Sequence, residues 1–161
     1  MAPLRPLYLW ARPDPIPAKE RTFYSLIYAT RSKVGVEVFR ECQHDTLKAQ
    51  DFVRDQIKTG RRAAATMMDD MFAGVATGNE FAARWIDDQE AAARVALADA
   101  VPHKPEIARY GDLWPAVLAE HGVRRRRLAR MAAEMRARGE ISFLDWAPRK
   151  QVPDDDYRVT R

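Results

Sequence analysis

Residues 110–146 read YGDLWPAVLAEHGVRRRRLARMAAEMRARGEISFLDW, and the fold is decided by how this stretch divides. The first part predicts a helix with Asp112 as its N-cap and Gly122 as its stop. Leu113, Trp114, Val117 and Leu118 form its apolar face. Pro115 is expected in the first turn, where its missing N–H costs nothing. After a tight turn, Leu128, Met131, Ala132 and Met135 recur at i, i+3, i+4 and i+7, the spacing of a helix with one buried face, and Gly139 ends it. ISFLDW (141–146) and DYRVT (156–160) then predict two short strands joined by a loop rich in charge and proline. Helix, turn, helix, strand, loop, strand is the order of a winged helix-turn-helix, with the acidic helix before it packing as its first helix.

The run Arg124–Arg127 stands where the second helix begins, and a helix N-terminus carries partial positive charge that disfavours cations. With Leu128 set at zero and about 100° per residue, Arg126 falls near 160° and Arg130 near 200°, opposite the core-facing stripe. Arg127 falls near 260°, Ala129 near 100°, Ala133 near 140° and Ala137 near 180°. The outward face is therefore arginine interleaved with alanine. Small residues let the backbone approach a groove, and arginines reach phosphates or the O6/N7 edge of guanine. Arg124 and Arg125 sit in the turn, positioned for phosphate. Arg149 and Lys150 sit at the tip of the expected wing, positioned for flanking phosphates or the minor groove. The competing reading is a solvated polar face. The wrong-signed placement favours a polyanionic partner, because Glu or Asp would solubilise that first turn without repulsion.

Working outward, the 161 residues form one domain or two small ones and are long enough to bury a core. No apolar run approaches the ~18 residues of a membrane span, and MAPLRPLYLW is too short and proline-broken for a secretory signal. The single cysteine, Cys42, excludes an internal disulfide and a multi-cysteine metal site, and a cytoplasmic protein is expected. Lys and Arg against Asp and Glu number 12 and 7 over residues 1–64, 2 and 7 over 65–101, and 9 and 3 over 121–150. This alternation of charge suggests separate surfaces with separate partners. Three segments follow: an N-terminal strand and helix (1–64), an acidic helical segment (65–103) and a winged-helix-like domain (104–161). The fold class expected is mainly α with small β elements.

ARPDPIPAK (11–19) predicts an extended connector. TFYSLIYAT (22–30) predicts a buried strand, with PLYLW (6–10) as its antiparallel partner across the gap. From Ser32, as N-cap, a helix is expected to bury Val38, Phe39, Cys42, Ala49, Phe52, Val53 and Ile57, weakened at Gly60 and ended by Gly74 and Gly78. Asn79 caps a second helix whose expected inward residues are Phe81, Trp85, Ala92, Val95 and Leu97. Pro102 and Pro105 close it.

YSLIYATRSKVGVEVFREC (24–42), the long helical stretch, and the segment from Tyr110 to Ile141 together resemble the C-terminal part of the three-Cys-motif partner protein family. The likeness rests on Leu26–Thr30, Gly35–Phe39, Gly111–Trp114 and Leu128–Ile141, and spans Tyr24 to Ile141. In that family a YxLIFAT-type strand precedes a helix with G-x-E-V-F/M, and a GDLW segment opens a winged-helix-like tail. Family members also resemble methyltransferases in a larger N-terminal region. No glycine-rich loop follows a strand here, so that activity is not carried over. The three cysteines belong to a neighbouring protein that resembles radical-S-adenosylmethionine enzymes of phages and mobile elements. The resemblance implies an accessory role beside such a separate enzyme.

Other chemistry is thinly supported. Adjacent residues on a helix diverge by about 100°, so Asp69-Asp70 and Asp87-Asp88 are poor metal pairs, and a solvated or partner-binding acidic face is expected. Asp154-Asp155-Asp156 reads as a turn in the wing loop that repels DNA locally. Cys42 and His44 point to different faces, and Cys42 reads as core. His103 sits in the proline linker. His121 reads as a helix C-terminal residue, with contact to phosphate as the alternative. The four tryptophans, Trp10, Trp85, Trp114 and Trp146, read as core or interface anchors. No Ser-His-Asp set, phosphate loop or zinc motif is present, no cofactor is expected, and the chain leans away from catalysis. The function expected is a non-catalytic accessory protein binding nucleic acid, duplex DNA first, through Arg124, Arg125, Arg126, Arg127, Arg130, Arg149 and Lys150. It would act beside a partner enzyme of radical-S-adenosylmethionine type. The alternative is an interaction subunit that docks on such a partner, or on a methyltransferase-like one, without touching DNA. The remaining possibility is the tail of a methyltransferase-like enzyme whose catalytic half lies elsewhere.

Overall fold

The structure is a computed structural model that describes residues 7–10, 27–65 and 80–161. It is mainly α with small β elements. Strand β1 (Leu7–Trp10) pairs antiparallel with β2 (Ile27–Thr30), Leu7 opposite Thr30 and Trp10 opposite Ile27. Helix α1 (Lys33–Ala65) follows and runs through Gly60, and α2 spans Glu80–Ala100. Strand β3 (Ala108–Arg109) leads into α3 (Tyr110–Glu120), then α4 (Arg125–Ala137), β4 (Ser142–Phe143) and β5 (Arg158–Thr160). The second sheet has the order β3-β5-β4, both pairings antiparallel. Helix, strand, helix, helix, strand, loop, strand with the last strand in the middle is the arrangement of a winged helix-turn-helix. The connector 11–19, residues 22–26 of the expected strand, Asp69-Asp70, Gly74, Gly78 and Asn79 lie outside the described residues, as do the side chains of Trp10 and Phe81.

One core holds the C-terminal unit together. Ala93, Leu97 and Val101 from the α2 side meet Tyr110, Trp114, Val117 and Leu118 of α3. Leu128, Met131, Ala132 and Met135 of α4 close over them, with Ile141, Phe143 and Val159 from the sheet and Val36 from α1. The apolar spacing in α4 thus faces inward as its sequence implies. Its C-terminus is a Schellman turn: Glu140 N–H donates to Met135 O (2.9 Å) and Gly139 N–H to Arg136 O (3.0 Å), with Gly139 at φ +74°.

Several elements depart from the sequence reading. Helix α3 starts at Tyr110, with Arg109 rather than Asp112 at the cap, and Pro115 lies inside it. The cause is a cap made by distant backbone: Tyr110 N–H donates to Tyr157 O and Gly111 N–H to Asp155 O, each at 2.8 Å. These bonds satisfy two donors that a local side chain would otherwise serve. Strand β3 has two residues flanked by proline-rich chain and leaves no periodic trace in the sequence.

Apart from half-buried Phe39, the stripe expected to be buried on α1 faces out instead. Val38, Phe52, Val53 and Ile57 are about half exposed or more, and Cys42 and Ala49 are exposed. The buried face of α1 is Val36 and Arg40. Arg40 Nε donates to Leu118 O (2.6 Å) and Nη2 to Ala119 O (2.9 Å), so α1 docks by capping the carbonyl end of α3 with a guanidinium. On α2, Ala92 and Val95 are exposed while Ala82, Ala93 and Leu97 are buried and Trp85 is half-buried. The alanine-rich run offers little contrast between faces, so its phase is set by packing.

Candidate nucleic-acid interface

Helix α4 presents its N-terminal half between α1, α2 and the loop 144–157, which is the wing. Each predicted arginine has a distinct fate there. Arg124 occupies the N-cap position and reaches Glu41 of α1 at 3.5 Å. Arg125 pairs with Glu37 (3.2 Å) and Asp155 (2.7 Å), and its guanidinium stacks 4.7 Å from the Trp114 ring centroid. Burial alone lowers the affinity of Arg125 for its proton, but the two carboxylates outweigh it and raise the pKa. Arg127 donates to Glu90 of α2 (2.8 Å) and to Glu134 (3.0 Å), and chiefly the Glu90 bond raises its pKa.

Arg126 and Arg130 differ from these three. Both are exposed, one helical turn apart, and neither has an ion pair or hydrogen bond among the described residues. Ala133 is half-buried and Ala137 exposed along the same face, so part of the arginine–alanine ridge is present. Ala129, expected to face outward, is buried at 9% exposure and lines a cleft shared with Val152 and Pro153 of the wing.

A cleft lies on each side of the Arg126–Arg130 ridge. The first, about 380 Å³, opens toward α1 and α2; the second, about 350 Å³, opens toward the wing. Tyr110 lines the second with a buried hydroxyl that has no hydrogen-bond partner, and burial pushes its pKa upward.

The wing is fixed at its base and exposed at its tip. Asp145 and Arg158 form a two-pronged ion pair (2.9 and 2.8 Å), and chiefly the Arg158 bond holds the Asp145 carboxyl at about 2. Phe143, Trp146 and Tyr157 stack on one another, and Arg136 of α4 lies 4.4 Å from the Trp146 centroid. At the tip, Arg149 is exposed with no partner among the described residues, whereas Lys150 pairs with Asp154 at 2.7 Å. The run Asp154–Asp156 is not a uniform repulsive patch. Asp155 turns inward and accepts from Lys33 Nζ (2.7 Å), Arg125 Nη2 (2.7 Å) and Trp114 Nε1 (3.0 Å).

Neither a protein-family model, a curated protein nor a solved structure matches this chain. Its interface is therefore described by geometry. Of the seven predicted contacts, Arg126, Arg130 and Arg149 present charge uncommitted among the described residues, and Arg124, Arg125, Arg127 and Lys150 are held by carboxylates. What sequence reasoning missed is the set of glutamates on α1 and α2 that meets the arginine run. Glu37 and Glu41 are spaced i, i+4, which was the available signal for a single acidic face.

The remaining candidates fall into ordinary roles. His121 is the C-cap residue of α3, donating its N–H to Val117 O, and His103 and Asp87-Asp88 are exposed. Among the described residues no group of His, Cys, Asp and Glu is arranged to hold a metal, and no helix is long and apolar enough to cross a membrane.

Proposed function

We propose that residues 80–161 form a winged-helix module that binds duplex nucleic acid, DNA first, with α4 as the recognition helix. The observation that carries this reading is the pair Arg126 and Arg130: outward, one turn apart and unpaired with any carboxylate among the described residues, on a helix whose other N-terminal arginines are all paired. Arg149 at the wing tip extends the same positive surface. Guanidinia in this setting suit phosphate oxygens and guanine edges. Binding of this kind releases counterions and weakens steeply with salt. Fluorescence anisotropy with a labelled duplex across a salt series tests it. Arg126→Glu with Arg130→Glu should abolish binding at moderate salt, and an unchanged isotherm would sink the reading.

A second reading rests on α1. Val34, Val38, Phe52, Val53 and Ile57 are exposed at 49–64% along that helix, which suits docking to a protein. With the three-Cys-motif resemblance, this fits an accessory subunit beside a separate enzyme of radical-S-adenosylmethionine type. Val38→Asp with Phe52→Glu should then abolish co-purification with a product of a neighbouring gene while leaving thermal unfolding unchanged. Retained co-purification would exclude α1 as the docking face.

A further inference from the structure

Two buried side-chain polar atoms among the described residues lack a hydrogen-bond partner, and one of them is His44 Nδ1. His44 lines the 380 Å³ cleft between α1, α2 and α4, together with Arg124, Arg126, Arg127 and Arg130. Only two carboxylates face them there, Glu41 and Glu90. Arg127 is held by Glu90 at 2.8 Å, Arg124 meets Glu41 only at 3.5 Å, and Arg126 and Arg130 are unpaired among the described residues. Cations thus outnumber anions in a concave site, where walls of low dielectric concentrate the field. Ile86 and Val123 add an apolar floor. The volume falls in the range of small-ligand sites and is far too small for a duplex.

His44 stands on the α1 side of the cleft. Burial, then the neighbouring Arg124, push its pKa below the ordinary value; Lys48 acts in the same direction, while Asp45 and Glu41 oppose it. An exposed ion pair as long as Arg124–Glu41 contributes little, so an incoming oxyanion can take Arg124 over.

We propose that this cleft is a phosphate-binding site, in which Arg124, Arg126 and Arg130 grip the oxyanion beside the His44 ring. The phosphate arrives either on a small organic molecule, whose apolar part rests on Ile86 and Val123, or on a nucleic-acid strand. The site does not depend on duplex binding by the outward ridge.

Isothermal titration of the full chain with inorganic pyrophosphate at constant ionic strength tests it. The chain should bind one equivalent, and Arg124→Gln with Arg130→Gln should weaken binding about tenfold or more, the loss expected for charge-assisted hydrogen bonds. Lys104→Gln, exposed and outside the cleft lining, should leave it unchanged. A second readout on the unaltered chain guards against a variant that fails to fold: pyrophosphate should shift the His44 ring ¹⁵N resonances. No binding, equal affinity in all three proteins, or unmoved His44 resonances would overturn the site. The His44 ring resonances separate the sources: a duplex that moves them assigns the site to a strand phosphate, and a duplex that binds without moving them assigns it to a small molecule. Pyrophosphate binding without any duplex binding would leave this site standing and remove the reading of function, and duplex binding alone would do the reverse.

Discussion

Asp155 ties three helices to the wing: its carboxylate holds Lys33 of α1, Trp114 of α3 and Arg125 of α4, and its carbonyl caps Gly111 at the start of α3. Burial raises its pKa, but the bonds from Lys33 and Trp114 and the charge and bond of Arg125 outweigh that and leave it depressed. A depressed carboxylate stabilises the fold above its unfolded pKa of about 3.9 and loses that contribution as pH falls through the folded value. Thermal unfolding should therefore lose stability below about pH 4, and Asp155→Ala should flatten that loss. At pH 7 the same substitution should cost about 2 kcal/mol, since it strands the Trp114 N–H while the two cation pairs are partly screened by solvent. In the sequence this residue is one of three aspartates in a row, and nothing local marks it as the one that turns inward. Its partners lie 30, 41 and 122 positions away, beyond the reach of spacing arguments.

At the scale of elements, α4 was the most legible because its apolar residues keep strict helical spacing and Gly139 closes it. The face opposite Leu128 was correctly placed for Arg126 and Arg130. The sequence was silent on what stands opposite Arg124, Arg125 and Arg127, so three of the four arginines in the run are answered from within. Under the proposed function, Glu37 and Glu41 of α1 neutralise charge that would otherwise meet phosphate. Duplex affinity should rise about threefold or more in Glu37→Gln with Glu41→Gln, since exposed pairs contribute up to about 1 kcal/mol each. Glu106→Gln with Asp99→Asn, both exposed and away from α4, serves as the charge-matched control in the same anisotropy titration. The start of α3 shows another local conflict. A Cβ at Gly111 would lie 2.8 Å from Asp155 O and 2.9 Å from Asp155 Cβ. Gly111→Ala should therefore push the wing's end off the helix and cost about 1–3 kcal/mol in denaturant unfolding.

For the whole molecule, the fold class and the order of the C-terminal elements were legible, because periodicity, helix stops and turn residues agree there. The docking of α1 was not. An apolar stripe tells which face of a helix is greasy but not what covers it. The face of α1 that packs inward is anchored by an arginine, a residue type not counted toward a core. Burial lowers the Arg40 pKa to about 10, still charged at neutral pH, with α3 carbonyls taking the place of a counter-ion. Arg40→Met keeps the stem but leaves those carbonyls without donors. It should lower stability by about 2 kcal/mol in a thermal or urea melt.

The middle position of β5 in its sheet also sets an order of events during synthesis. Residues 154–160 supply the central strand and both backbone caps of α3, so α3 and α4 cannot reach their final packing until that segment is made. At about 5–20 residues per second, the forty residues from the end of α3 to Thr160 take about 2–8 s to appear. For that interval the apolar faces of both helices lack their lid, which makes the nascent 110–146 segment the stretch of this unit most in need of a holding chaperone.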